Sequence, residues 1–270
     1  MIEIPYAIVT GATGGVGKAI VRKLTREGVN CIAIGSSTDS ITKKLRFGDD
    51  LLFTGAHHRN RAVALDLARW DGEFNHSAAT IEGYIAEGNI STSNKELVLS
   101  NALAFDNNDS NRYTLRVLVN CAGITQASVG IRMSPNVISN MINVNFASAV
   151  YLSNYAARLQ MKQKSRKRLD IINVSSILGG FADKRNFMIQ GTSIYSATKA
   201  ALSQFTRVYG KEVERLSINC HDIAPGLIPE TDMIKNLPER AQENLLRTIN
   251  GEITTVDEVS EQVLRIYKES

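Results

Sequence analysis

An α/β fold with a parallel sheet covered on both faces is what this 270-residue chain predicts, and three observations carry the expectation. Short, nearly continuous apolar runs recur along the chain, the signature of strands buried on both sides. Long stretches of helical periodicity separate them, so neighbouring strands are joined by crossovers and run parallel. The first run also passes into its helix through a cluster of glycines, "TGATGGVG".

The elements follow in order. "IPYAIVTGATGGVGKAIVRKLTREG" is a buried strand, a glycine turn and an amphipathic helix ended by Gly28. "NCIAIGSS" is a second strand, "AVALDL" a third, "LRVLVNCAG" a fourth, "LDIINVSS" a fifth and "SINCHDIAPG" a sixth. Long helices are expected over Asn136–Lys164 and Ser193–Arg215, and the chain closes on a helix, with no seventh strand after it. Two insertions interrupt the pattern, near 68–114 and 182–191. The first is rich in Asn, Ser, Asp and Gly, and its pieces "GNISTSNKE" and "DNNDSN" are expected to be exposed loop.

Composition narrows the function. With 43% hydrophobic and 21% charged residues the chain has material for a sizeable core. A net charge of +4 is too mild to suggest nucleic acid as a partner unless it is clustered. No apolar run approaches the ~20 residues of a membrane span. Cys31, Cys121 and Cys220 are scattered and odd in number, which suits a reducing compartment, and the four histidines show no ligand spacing with them, so no metal is assigned.

Gly11, Gly15 and Gly17 let the backbone approach a pyrophosphate, and the free N–H groups of the helix start face its negative charge. An Asp or Glu at the end of strand two would bind the ribose 2′-hydroxyl of NAD. Here stand Gly35, Ser36 and Ser37, with no carboxylate before Asp39, which points to NADP(H). Ser36 and Ser37 would equally serve to cap the next helix.

Tyr195 and Lys199 lie four residues apart at the entrance of a helix, on one face and about one turn apart. An ammonium beside a phenol favours phenolate and is expected to lower the tyrosine's pKa, so that it can exchange a proton with a carbonyl oxygen.

The ordered set "TGATGGVG", "LDL" at Asp66, "NCAG" at Asn120, "NVN" ending at Asn145, "NVSS" ending at Ser176, "YSATK" and "PG" at Pro225 resembles the short-chain dehydrogenase/reductase family over nearly the whole chain. The resemblance implies one doubly wound, Rossmann-type domain over 1–270 and a catalytic tetrad. Tyr195 would be the acid/base and Ser176 would hydrogen-bond the substrate oxygen. Lys199 would hold the nicotinamide ribose, and Asn145 would position a water in the proton relay. It also implies a cofactor cleft formed by Gly11, Thr13, Gly14, Gly15, Val16 and Gly17, by Asp66 and Leu67 near the adenine, by Asn120, Ala122 and Gly123, and by Pro225, Ile228 and Thr231 toward the nicotinamide.

Within the family, "VNCAGITQASV", "IINVSSILGG", "GTSIYSATKAALSQFT" and "PGLIPETDMIKNLPE" look like the yeast mitochondrial 3-oxoacyl-[acyl-carrier-protein] reductases. That resemblance implies NADPH-dependent reduction of a 3-oxoacyl chain carried on acyl carrier protein, in fatty acid biosynthesis, with a mitochondrial location and otherwise a cytoplasmic one. It also implies a homo-oligomer formed through the helices 136–164 and 193–215. The rival readings are a reductase of the same family acting on free small molecules and a catalytically silent dinucleotide-binding scaffold. Three features depart from the family's habit: Gly14 stands where NADPH-preferring relatives commonly have arginine, the final strand is missing, and the Ser176–Tyr195 interval is long. In that interval Phe181, Phe187, Met188 and Ile189 are expected to wall an acyl chain, with Lys184 and Arg185 meeting the carrier's acids. Lys167, Arg168 and Arg215 are a second docking patch expected for that acidic partner. "PGLIPETDM" is expected to begin a lid.

Overall fold

A computed structural model describes residues 2–45, 59–86, 89–105, 111–126, 128–162, 167–180, 189–248 and 252–269. The chain runs β1 (Ile2–Thr10), α1 (Gly15–Arg26), β2 (Asn30–Gly35), α2 (Thr38–Lys44), β3 (Arg59–Ala64), β4 (Ser77–Ala86), β5 (Asn89–Val98) and α3 (Leu99–Ala102). It continues through β6 (Asn111–Asn120), α4 (Pro135–Ile142), α5 (Ser148–Lys162), β7 (Leu169–Val174), α6 (Ser193–Val213), β8 (Ile218–Ile223), α7 (Asp232–Lys235), α8 (Glu239–Thr248) and α9 (Val256–Lys268). No helix among the described residues is long and apolar enough to cross a membrane.

The strands form one sheet in the order β5-β4-β3-β2-β1-β6-β7-β8. From β3 to β8 every pairing is parallel, and the six expected strands are all present. The count of about six needs correction to eight, because the first insertion contributes an antiparallel hairpin, β4–β5, added to the β3 edge. The expected exposed loop "GNISTSNKE" is mostly strand β5. Its polar composition misleads because an outermost strand needs only one apolar flank, and charges such as Lys95 and Glu96 on such an edge hinder pairing with other chains. "DNNDSN" lies outside the described residues apart from Asn111, the first residue of β6.

Alternation along the strands sends successive side chains to opposite faces. Ile8, Ile32, Ile34, Val63, Leu118 and Ile171 join Leu152 and Ala156 of α5 and Tyr209 and Val213 of α6 in one apolar layer. Val9, Cys31, Ala33, Ala62, Val119 and Ile172 join Ile20 and Leu24 of α1, Ile41 of α2 and Val259 and Val263 of α9 in the other. Both layers are closed, as a sheet with apolar residues on both faces requires. Helix α1 stops where expected: Gly28 takes φ +84°, the left-handed conformation that glycine adopts without strain. The helix expected over Asn136–Lys164 is α4 and α5 joined by a π-helical turn at Asn143–Ala147, an irregularity that often marks a functional site. Because β1 lies between β2 and β6, the strand order reverses at β1, and a crevice opens beyond the carboxyl ends of β1 and β6.

Candidate active site

The crevice begins at the glycine turn. Gly11 has φ +65°, and a Cβ there would lie 2.8 Å from Ala122 Cα, so the turn after β1 is pressed against the end of β6. Thr10 fastens the two: its Oγ1 accepts from the N–H groups of Cys121 and Ala122, both at 3.0 Å. A Cβ on Gly17 would fall 2.7 Å from the Gly11 carbonyl carbon, so the helix can start only if residue 17 has no side chain. No side chain caps α1 at Gly14 and no acid stands in its first turn. Its first N–H groups are therefore available to an anion, and the turn fits the pyrophosphate of a dinucleotide.

A cleft of about 940 Å³ runs from this turn across the ends of the strands. Gly11, Thr13, Gly14, Gly15, Val16, Gly17, Ser36, Asp66, Leu67, Ala122, Gly123, Ser176, Tyr195, Lys199, Pro225, Ile228 and Thr231 all line it, as the sequence leads one to expect. Three expected residues do not. Ser37 turns away to cap α2, its Oγ accepting from the Ser40 N–H at 3.1 Å. Asn120 lies below the floor, where its Nδ2 donates to Asn173 Oδ1 at 2.7 Å and reaches Ser153 Oγ at 3.4 Å. Asn145 is 1% exposed and its side chain is fully engaged. Its Oδ1 accepts from the Ile124 N–H at 2.8 Å, and its Nδ2 donates to Ile124 O and Thr198 Oγ1 at 3.0 and 3.1 Å. That amide ties the π-turn to the strand-end loop and to α6.

Tyr195 and Lys199 share the face of α6 that lines the cleft. Lys199 Nζ donates to Val174 O at 2.8 Å, and a Cβ on Gly123 would lie 3.5 Å from that nitrogen and 3.7 Å from Asn145 Oδ1. Ser176, at the end of β7, accepts from the Leu178 N–H at 3.2 Å and hydrogen-bonds the Tyr195 hydroxyl. Burial pushes the Tyr195 pKa up, and only the Ser176 hydrogen bond pulls it down. The expectation that Lys199 lowers it is therefore corrected: the ammonium is directed at the Val174 carbonyl, and removing the hydroxyl from water outweighs it. Burial also pushes Lys199 down to about 8.

Three residues of the site escape sequence reasoning. Gln126, 5% exposed, accepts the N–H groups of Ile194 and Tyr195 on its Oε1 at 2.8 and 3.2 Å, capping α6 from a distant loop. Lys44 lines the cleft from the end of α2 and pairs with Asp232 of α7 at 2.9 Å. Thr10 is the third. No motif marks them, because each acts on a partner far away in sequence. Beyond Tyr195 the cleft becomes apolar: Ile177, Ile189, Leu227, Ile234, Leu237, Ala241 and Leu245 pack together at that end. Phe181, Lys184, Arg185, Phe187 and Met188 lie outside the described residues, whereas Ile189, the other residue expected to wall an acyl chain, lines the cleft. The patch at Lys167 and Arg168 lies at the amino end of β7, roughly 17 Å of strand away from the cleft. Lys167 is paired with Glu3 at 2.7 Å and Arg168 with buried Asp170 at 2.8 Å, so these cations hold the far end of the sheet together.

Comparison with known proteins agrees with this geometry. The sequence profile described as short chain dehydrogenase matches residues 101–242. The 3-oxoacyl-[acyl-carrier-protein] reductase FabG of Pseudomonas aeruginosa is 30% identical over 258 residues, covering 95% of this chain and 87% of its own. The reductase of the same name from Thermotoga maritima is 26% identical over 264 residues, covering 97% and 90%. Both relatives are bacterial, and the expected likeness to the yeast mitochondrial reductases is not among these matches. Among solved structures, 4-hydroxyisoleucine dehydrogenase complexed with NADH superposes with a TM-score of 0.67 at 17% identity, over 97% of this chain and 90% of that one. A short-chain dehydrogenase from Sphingobium yanoikuyae in complex with NADPH gives 0.66 at 19%, over 98% and 85%. With a dinucleotide turn, a tyrosine–lysine helix face and a profile spanning more than half its length, this chain belongs to the short chain dehydrogenase family of oxidoreductases.

Proposed function

We propose that the protein is an NADPH-dependent 3-oxoacyl-[acyl-carrier-protein] reductase. The observation that carries this reading is one continuous cleft joining the glycine turn, the Ser176–Tyr195–Lys199 cluster and an apolar end pocket. NADPH, when bound, would supply a hydride to the carbonyl carbon. Tyr195 gives its proton to the carbonyl oxygen, and Ser176 holds that oxygen through its hydroxyl. Lys199 binds the nicotinamide ribose and keeps a positive charge near the phenol as the proton leaves. Asn145 acts by fixing the Ile124 loop and Thr198, hence the floor of the site and the first turns of α6.

Ser36 at the end of β2 and Lys44 at the end of α2 are the groups suited to the 2′-phosphate, since β2 ends without an acid and Gly14 offers no cation. The apolar end pocket suits an acyl chain, and Arg240 on the same cleft suits the acidic carrier. The bacterial relatives are named for that substrate. A homo-oligomer through α4, α5 and α6 is supported by Val137, Ile142, Met161 and Val208, large apolar side chains that are 42–66% exposed on those helices. Sedimentation at micromolar concentration reads that directly.

The deciding assay follows NADPH oxidation with acetoacetyl-carrier protein, with NADH in parallel and with a free 3-ketoester as competing substrate. Turnover of the carrier-bound ketone with a preference for NADPH, abolished by Tyr195→Phe, is the expected result. Turnover of the free ketone alone would overturn the substrate assignment.

A further inference from the structure

The sheet register sets three polar side chains in a row beneath α6, one residue short of the cleft. Asn120 of β6 lies opposite Asn173 of β7, and Asn173 opposite Asp222 of β8. The amide nitrogens are engaged: Asn120 Nδ2 donates to Asn173 Oδ1 at 2.7 Å, and Asn173 Nδ2 donates to Thr206 Oγ1 at 2.8 Å, while Asn120 Oδ1 is buried and accepts no hydrogen bond from any described residue. Asp222 ends the row with a carboxylate in place of an amide. Ser203 Oγ donates to its Oδ2, while its Oδ1 is buried and accepts no hydrogen bond from any described residue. A carboxylate oxygen taken out of water without a donor is costly unless a cation lies near.

Helix α6 provides that cation. Ser203, the clamp on Asp222, stands four residues after Lys199 and so on the same helix face. The Lys199 ammonium reaches down from α6 to the carbonyl of Val174, the residue following Asn173 in β7, and Asn173 is the register partner of Asp222. We infer that Asp222, fixed by Ser203, is a positioning residue for Lys199: its negative charge keeps the buried ammonium protonated at working pH. The inference rests on the role given to Lys199 above.

Two groups on neighbouring elements oppose the effect of burial on Lys199: Cys121 beyond β6 and Asp222 of β8; Tyr195 faces it along α6 itself. Burial pushes the Cys121 thiol up to about 11, so it is neutral at physiological pH. That leaves Asp222 as the anion of the pair. Its removal lowers the Lys199 pKa further, because the carboxylate that opposes burial is gone.

The test compares wild type with Asp222→Asn, which keeps shape and removes charge, and with Ser203→Ala, which leaves the carboxylate but frees it. Two readouts are taken from pH 6 to 9.5: kcat/KM for ketone reduction, and NADPH affinity by fluorescence titration. The expected result is an alkaline limb displaced downward by about one pH unit in Asp222→Asn, in both readouts, with the rate at pH 6.5 kept within about threefold. Ser203→Ala should show a smaller displacement of the same sign. An unmoved limb in a folded Asp222→Asn, or a loss that is equal at every pH, overturns the inference. Should Asp222→Asn not fold, Ser203→Ala decides by the same criterion. Tyr195→Phe runs beside them: if it retains turnover, the reading of the active site itself has failed; if it is dead while Asp222→Asn is unshifted, only the role of Asp222 has.

Discussion

Replacing Gly17 by alanine tests whether the glycine turn is built by steric necessity. The added methyl would lie 2.7 Å from the Gly11 carbonyl carbon, 2.9 Å from Ala12 Cα and closer still to the Gly11 oxygen. All three are backbone atoms of the same turn, so no side chain can swing aside. Carbon–carbon contacts are comfortable near 3.5–4.0 Å, and the overlap is thus on the order of 1 Å. Overpacking of this kind costs about 1–3 kcal/mol, and rigid backbone on every side puts Gly17→Ala at the upper end, ~3 kcal/mol. For a chain of this size each kcal/mol moves Tm by about 2–4 °C, so the variant should melt about 6–12 °C lower. Gly15→Ala is the control. Its methyl would meet Val256 Cγ2 at 3.6 Å and Thr231 Cγ2 at 3.7 Å, ordinary contact, and alanine favours a helix over glycine by about 0.5–1 kcal/mol. Its Tm should hold or rise slightly. Scanning fluorimetry gives both melting points, and NADPH titration should show binding lost in Gly17→Ala. A fall of less than 2 °C in Gly17→Ala, or equal falls in both variants, would refute the steric argument.

The remaining expectations concern the cleft and its supports. Tyr195→Phe removes the proton donor and one hydrogen bond to Ser176; kcat should drop by about 10²–10⁴ with Tm nearly unchanged, checked by steady-state kinetics and melting on the same sample. Wild-type kcat/KM should decline as pH rises through about 8, because the Lys199 pKa is lowered and the ammonium is present only below it; a flat profile to pH 9.5 would contradict that. Gln126→Ala uncaps α6 at Tyr195 and should cost ~1 kcal/mol of stability and lower kcat more than it raises KM, as read from urea unfolding and a substrate titration. Arg61→Ala strips the buried donor from the carbonyls of Asn101, Ala102 and Ala104 and should destabilise by about 3 kcal/mol, leaving KM for NADPH unchanged in whatever fraction stays folded.

What the sequence made legible was what depends on local pattern. Apolar runs revealed the six parallel strands because a strand buried on both faces has no other way to read, and Gly28 marked the end of α1 through its own backbone. The β4–β5 hairpin was missed because an edge strand tolerates the Asn, Ser and Lys residues that also fill loops. Most of the cleft lining followed from motif positions, and Ser37 takes the helix-capping role that the sequence left open for it, yet Asn120 turned out to serve the row beneath the floor. Which way a strand-end side chain points depends on register and on the helix above it, and spacing does not contain that. Lys167 and Arg168 are charged in sequence but neutralised in space by Glu3 and Asp170, partners that only the topology brings near. Gln126 capping α6 across 68 and 69 positions is the same lesson in reverse.

The Tyr195–Lys199 pair shows why spacing alone misjudged the chemistry. Four residues of helix guarantee a shared face but say nothing about water, and it is the loss of water that dominates the phenol. A pKa raised by burial keeps Tyr195 protonated across the physiological range, which is the form a carbonyl reduction consumes; alcohol oxidation would begin from the phenolate. On the proposed reading the free enzyme is thus poised for reduction. Two features then lower the cost of parting with the proton. The Ser176 hydrogen bond favours the phenolate directly. Lys199, with its pKa near 8, is still roughly 90% charged at pH 7, close enough to neutrality to exchange a proton and cationic enough to attract the anion that forms. Burial without a countercharge would carry that lysine toward neutrality and remove the second effect. A half-satisfied carboxylate on the neighbouring strand is therefore compatible with a working site in a way that a third amide at the same place in the row would not be.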